Sequence, residues 1–363
     1  MEALAYYDGK IGTPEELTVP FNDRVHFFGD GVYDATVGAN GKVYLLQDHL
    51  DRFYTSARAL DIHIPMPKDE LGRLLTDLLA KVDGTTHFVY WQVTRGVETR
   101  NHVYAEDLPG KLWVSIRQNH LNDPDVPIKL NTEEDTRFYH CNIKTLNLLP
   151  SVAAAQHAKR IGVQETVFHR GDIVTECAHS NVSILKDGVF YSHPNDEFIL
   201  RGIAKTHMIQ ACYRLGITVM EKCFTLDDLR NADEIIVTSS SNFCLHACEV
   251  DGKPAGGKPG GHRADTSLAQ CLFRPFRQSC FLHFGASLSS YLIKYYSFSA
   301  TRSLALRERG FSASSVSSGK IGFRLTNRTT GFLPQTQTGS VLGHVHPVAR
   351  SAKVCLTMRS SRE

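Results

Sequence analysis

No stretch of this chain approaches the roughly 20 consecutive apolar residues that a membrane-crossing helix requires. No basic start followed by a long apolar run opens it, so no secretory leader is expected. The nine cysteines are scattered and include no Cys-x-x-Cys pair. That argues against a disulfide framework or a zinc site, and for reduced thiols in a cytoplasmic protein. No internal repeat and no nucleic-acid motif stand out, so neither nucleic acid nor membrane is an expected partner, and no metal is expected.

What remains is ordinary for a soluble enzyme: 42% apolar and 21% charged residues over 363 positions, enough for two modest domains or one large one, with room for a buried cofactor. The net charge of +2 hides an asymmetry. Residues 262–363 hold 14 Lys and Arg against 3 acids, which leaves 26 bases against 35 acids in residues 1–261. The basic part is rich in Ser, Thr, Gly and Gln, as in 312–319 and 329–340, and has no sustained period. It is expected to be a poorly ordered, atypical tail.

The first 260 residues are locally consistent. Asp8-Gly9 and Asn40-Gly41 each lie between strand-like runs, a two-residue hairpin signal. Leu50, Phe53, Ala57 and Leu60 share one face of a predicted helix over 48–60. Pro67 opens a second helix with an apolar stripe from Leu71 to Val82. Strands follow over 87–94 and 111–117. After a proline-containing connection, 121–128, a second unit is predicted: helices over 151–160 and 204–215, and strands over 165–169, 182–186, 189–191, 217–223 and 234–238. The mixture argues for an α+β fold, divided as 1–120, 121–260 and the tail 261–363.

The chemistry-bearing residues are weak signals singly. In order, however, Phe28-Gly29-Asp30-Gly31-Val32-Tyr33, Asp48-His49-Leu50-Asp51-Arg52, Gln92-Val93-Thr94-Arg95-Gly96 and Arg100-Asn101-His102 occur. Asn142–Leu149 around Lys144, Val174-Thr175-Glu176, Ser180-Asn181-Val182 and Val237-Thr238-Ser239 follow. Over roughly residues 1–255 this series resembles the D-amino acid aminotransferases, pyridoxal 5'-phosphate (PLP) enzymes of fold-type IV. The tail does not resemble that family's C-terminal helix.

The resemblance implies a small α/β N-terminal domain and a larger, β-barrel-like PLP-binding domain. It makes Lys144 the lysine that carries PLP, and the group that moves the substrate's α-proton. The apolar run Leu146–Leu149 behind it argues for burial. It sets Glu176 against the pyridine nitrogen, where a carboxylate keeps the ring an electron sink. It gives the cofactor phosphate to Arg52, to Ile203 and Ala204 at a helix start, and to Ser239 and Ser240. Tyr33, Arg100 and His102 resemble the trap for the substrate α-carboxylate, the latter two reaching into a partner subunit's site, which implies a homodimer. Two departures stand out. Ala204 occupies a common threonine position, and Ala178-His179 a serine-rich one; both bear on cofactor retention or pocket shape.

The implied reaction exchanges the amino group of D-alanine or a similar D-amino acid with a 2-oxo acid such as 2-oxoglutarate. Branched-chain L-amino acid aminotransferases and aminodeoxychorismate lyases share the fold, and Arg100-Asn101-His102 resembles the D-specific pattern instead. A different class of reading is a non-functional or binding-only variant with an altered C-terminus.

Overall fold

The structure, a computed structural model, describes residues 2–123, 126–214 and 216–256; the predicted tail 261–363 lies outside the described residues. The first unit runs β1 (Ala3–Tyr7), β2 (Lys10–Gly12), α1 (Val25–Phe28), β3 (Gly31–Ala39), β4 (Lys42–Val43), α2 (Leu46–Ala59), α3 (Lys68–Leu79), β5 (Thr86–Thr94) and β6 (Lys111–Gln118). Its strands form an antiparallel sheet in the order β2-β1-β6-β5-β3-β4. Alternation splits this sheet into two faces. Val32, Val89, Trp91, Val93, Val114 and Ile116 point to α2 and α3 and build a core with Leu50, Phe53, Leu71 and Leu75. Tyr33, Ala35, Phe88, Tyr90 and Arg117 take the other face, which borders a cavity lined by four of them.

The second unit runs β7 (Ile128–Glu134), α4 (Leu149–Ile161), β8 (Glu165–Arg170), β9 (Ile173–Cys177), β10 (Asn181–Lys186), β11 (Val189–Ser192), α5 (Ile203–Arg214), β12 (Thr218–Glu221), α6 (Leu226–Arg230), β13 (Glu234–Ser239), β14 (Phe243–Val250) and β15 (Lys253–Pro254). Among the described residues these strands form a mixed sheet, β12-β11-β10-β13-β14-β7-β8-β9, with β15 on β14. The Cys177 amide donates to the Ser180 carbonyl at 2.8 Å, bringing β9 back against the start of β10 so that the sheet curls. Ile128, Leu130, Val167, Val174, Val182, Ile184, Ile235, Val237 and Leu245 fill the resulting core.

The expected helices and hairpins are present, with ends shifted by up to three residues: α3 stops at Leu79, short of Val82. The strand expected over 217–223 is shorter, Thr218–Glu221. The connection expected over 121–128 ends as β7 begins. That strand is half polar and gains its place by parallel pairing with both β8 and β14, contacts remote in the chain.

Candidate active site

Lys144 lies on a loop that is stitched to the start of β3. The Tyr33 amide donates to the Lys144 carbonyl at 3.0 Å, and the Leu146 amide donates to the Gly31 carbonyl at 3.0 Å. Val32 and Thr145 form an isolated bridge between them. Close approach requires glycine at 31. A Cβ there would lie 2.6 Å from Leu146 Cδ1 and 2.7 Å from the Val93 carbonyl oxygen. This ladder sets the lysine beside Tyr33, to whose phenolic oxygen Nζ donates at 3.2 Å, 4.3 Å from the ring centroid. The Ser56 hydroxyl accepts the Lys144 amide at 3.2 Å, which ties the loop to α2 as well.

Glu176, near the end of β9, is buried. Its Oε2 accepts from Asn181 Nδ2 at 2.9 Å and from the Leu200 amide at 3.0 Å, while Oε1 meets Arg137 Nη1. Burial pushes the carboxyl up to about 7, opposed chiefly by the Arg137 guanidinium. Arg137 is itself clamped through Nε and Nη2 on Asp135, both at 2.9 Å. These acids outweigh burial and keep it a cation.

Arg52 is aimed from α2 by Asp34 of β3. Its Nε and Nη2 form a fork on the two carboxylate oxygens at 2.9 and 2.7 Å, and Nη1 donates to the Arg201 carbonyl at 3.3 Å. Asp34 is 0% exposed. Burial alone would raise its carboxyl, but Arg52 and His49 hold it well below the usual range. His49 Nδ1 lies 2.7 Å from Asp34. Burial lowers that imidazole, so Arg52 is the countercharge of Asp34.

Opposite, Ile203 and Ala204 occupy the first turn of α5, where N–H groups have no partner within the helix. Ser239 and Ser241 hydroxyls, 3.3 Å apart, occupy the β13–β14 turn, and Asn242 donates its amide to Ser239 Oγ at 3.1 Å. The adjacent Thr238 hydroxyl is buried without a partner.

One cavity of about 650 Å³ collects Tyr33, Arg52, Lys144, Glu176, Ile203, Ala204, Ser239 and Ser240. The donors suit an anionic group, and the buried Glu176 suits a protonated ring nitrogen. Both are what PLP presents, so the residues fit that cofactor. His179 also lines the cavity, with Nδ1 held 2.8 Å from Glu165 Oε2. Cys141 and Cys177 are in the wall; burial pushes the Cys141 thiol up to about 11 and that of Cys177 well above its usual value.

Arg100 and His102 do not line this cavity. They pack around Phe28, the Arg100 guanidinium 5.2 Å and the His102 ring 5.3 Å from its centroid. Arg24 pins their loop by donating to the carbonyls of Asn101 at 2.7 Å and His102 at 3.4 Å.

Sequence reasoning missed Asp34, Asn181 and Arg137 as site residues. Asp34 had a signal, an acid on the helix-facing side of a strand opposite the i, i+3 pair His49 and Arg52. Arg137 had only its nearness to Asp135.

Among known proteins, a family model, amino-transferase class IV, matches residues 31–250. A D-alanine aminotransferase of Listeria monocytogenes serotype 4b (strain F2365) is 42% identical over 274 residues, 73% of this chain and 93% of that protein. One from Staphylococcus aureus (strain MSSA476) is 36% identical over 259 residues, 70% of this chain and 92% of that protein. Among solved structures, the Escherichia coli branched-chain amino acid aminotransferase superposes with a TM-score of 0.69 at 19% identity, covering 79% of this chain and 98% of that one. The T.th. branched-chain enzyme complexed with N-(5'-phosphopyridoxyl)-L-glutamate gives 0.64 at 21% identity, covering 70% and 89%. At such identities the superpositions show the fold, which is fold-type IV. On the match to residues 31–250 and the 42% identity, the chain belongs to the class IV aminotransferase family, whose cofactor is PLP.

Proposed function

We propose that this protein transfers the amino group of D-alanine or a similar D-amino acid to a 2-oxo acid such as 2-oxoglutarate, giving pyruvate and D-glutamate. The observation that carries this reading is the convergence of Lys144, Glu176 and the Arg52–α5–serine donors on one cavity. The 42% identity to a D-alanine aminotransferase supports the choice of hand, against 19–21% for the branched-chain enzymes. Bound PLP supplies a ring that accepts the electron pair left when the substrate α-carbon gives up its proton.

The protein's part is positioning and proton transfer. Lys144 Nζ anchors the cofactor and moves the proton at the substrate α-carbon. The Tyr33 hydroxyl, 3.2 Å away, orients that amine. Glu176, fixed by Arg137, Asn181 and the Leu200 amide, holds the ring nitrogen. Arg52, Ile203, Ala204, Ser239 and Ser240 bind the phosphate, with Ala204 offering an amide and no hydroxyl.

Arg100 and His102, which do not line their own cavity, complete the α-carboxylate trap with Tyr33 in the cavity of a partner subunit, as the resemblance to the D-amino acid aminotransferases implies. The assembly is therefore read as a homodimer. Support comes from an apolar groove beside Phe28, where Leu149 is 79% and Val152 59% exposed. The two sheets support the division into 1–120 and 121–260 as far as the described residues reach, and the scattered cysteines without a Cys-x-x-Cys pair support a cytoplasmic location.

The test is Lys144→Ala. A folded variant should lack the absorbance band of lysine-linked cofactor, and turnover should fall at least about 10²–10⁴-fold. In the intact holoprotein, D-alanine should bleach the cofactor band faster than L-alanine or L-leucine. Faster conversion of either L-amino acid would overturn the D assignment.

A further inference from the structure

Three arginines line the cavity, Arg52, Arg117 and Arg137, and among the described residues the only carboxylate in its wall is Glu176. Arg52 is neutralised by Asp34, and Arg137 by Asp135 and Glu176. Arg117 stands apart. Among the described residues its guanidinium meets only the ring of Phe88, 5.1 Å from the centroid. Among the described residues it is a cation in a cavity wall with no carboxylate paired to it. The neighbouring lining residues Asn119, His120 and Asn122 bring no acid either.

Its place in the sheet gives it a direction. Tyr33 pairs with Gln92, and Phe88 pairs with Arg117, all on the cavity face. Tyr33 stacks on Tyr90 at 5.5 Å, and Tyr90 on Phe88 at 6.4 Å. An aromatic row therefore leads from the Lys144 amine toward Arg117. Tyr33 on β3 and Arg117 on β6 lie two strands apart and four residue steps apart along β5, about 16 Å between their backbones, and the guanidinium sits over Phe88 at the far end of the row. Such a wall accepts a methylene arm along its ring faces and meets a charge at its end.

We propose that Arg117 is a specificity-determining residue that binds the distal carboxylate of acidic substrates, amino acids or oxo acids with a second carboxylate on the side chain. The proposal rests on the transaminase reading above. The planar guanidinium presents a fork matched to a carboxylate, and it sits over the Phe88 ring. The distance along the row makes longer diacids better ligands than shorter ones.

The test compares unreactive diacids with monoacids of equal length on the holoprotein: glutarate against pentanoate, and adipate against hexanoate. Binding is read by titration calorimetry. The natural protein should prefer each diacid, and adipate over hexanoate by the larger ratio. Arg117→Gln should lose roughly tenfold of that preference, the scale of one charged hydrogen bond at a partly solvated rim, and Arg117→Lys should keep part of it. The ratio of kcat/KM for D-glutamate over D-alanine should fall with it. Equal diacid preference in Arg117→Gln and the natural protein, or no preference in either, overturns the proposal. A holoprotein that fails to convert D-alanine would overturn the transaminase reading instead, while the diacid titration would still decide the subsite.

Discussion

Asp34 and Glu176 are both buried carboxylates with an arginine against them, yet they carry opposite consequences. Asp34 meets the guanidinium fork of Arg52, and its carboxyl titrates lower in the folded chain than in the unfolded one. As acid is added the unfolded chain takes up this proton first. The contribution of Asp34 is complete above about pH 4 and is lost as pH falls below that. Asp34→Asn should cost about 2–3 kcal/mol at neutral pH, because the Arg52 charge is left without its partner. It should also flatten the acid limb of a urea-unfolding series, and an unchanged acid limb would show that the fork does not hold the fold. Glu176 runs the other way, since burial holds its carboxyl up at about 7. The unfolded carboxyl loses its proton near pH 4.3. Between those values the folded chain must give up a proton that it holds more tightly, so stability declines as pH rises. Glu176→Gln should remove a decline on the order of 2–3 kcal/mol between pH 5 and 7.5 in the cofactor-free protein. A slope unaltered by this change would mean that Arg137 keeps the carboxyl ionised throughout.

The loop bearing Lys144 has no regular structure, yet it is fixed as firmly as a strand because it borrows the ladder of β3. Gly31 is where β3, β5 and this loop come closest. Gly31→Ala forces a methyl group against Leu146 and the Val93 carbonyl. It should cost about 1–3 kcal/mol, and it should lower turnover by displacing Lys144 from Tyr33. A variant as active and as heat-stable as the parent would show that the loop can yield. The amphipathic helices α2 and α3 and the Asp8-Gly9 and Asn40-Gly41 hairpins were legible because their signals are local. The strands β7, β9 and β14 were not. Asn131-Thr132-Glu133-Glu134 carries no strand-like alternation, and the pairing partners of β7 lie 35 and about 120 residues further along the chain. Lys144 and Glu176 were legible only through motif order; the apolar run Leu146–Leu149 that argued for burial of the lysine leaves Leu148 and Leu149 exposed, and Lys144 is half-buried. Asp34 and Arg137 needed the fold, since each becomes a site residue through a partner brought to it by tertiary packing.

Across the whole molecule, the cavity formed by the two sheets contains every proposed cofactor contact but only Tyr33 of the proposed carboxylate trap. If Arg100 acts across a dimer, two inactive variants should rescue each other. Mixing Lys144→Ala with Arg100→Ala leaves each mixed dimer one site with both residues intact. With random exchange about a quarter of all sites should recover, and activity should rise with them. Activity that stays at the level of the separate variants would place Arg100 in the cavity of its own chain, or outside the chemistry altogether.

The two thiols in the cavity wall bear on a problem of chemical compatibility. PLP presents an aldehyde, and a thiolate adds readily to aldehydes, competing with the amine that should capture it. Cys141 lies three residues from Lys144, and Cys177 follows Glu176 directly, so both stand where such a competitor would do harm. Burial keeps both as uncharged thiols at neutral pH, with Cys141 up at about 11. The apolar packing that shapes this wall thereby also leaves the aldehyde to nitrogen.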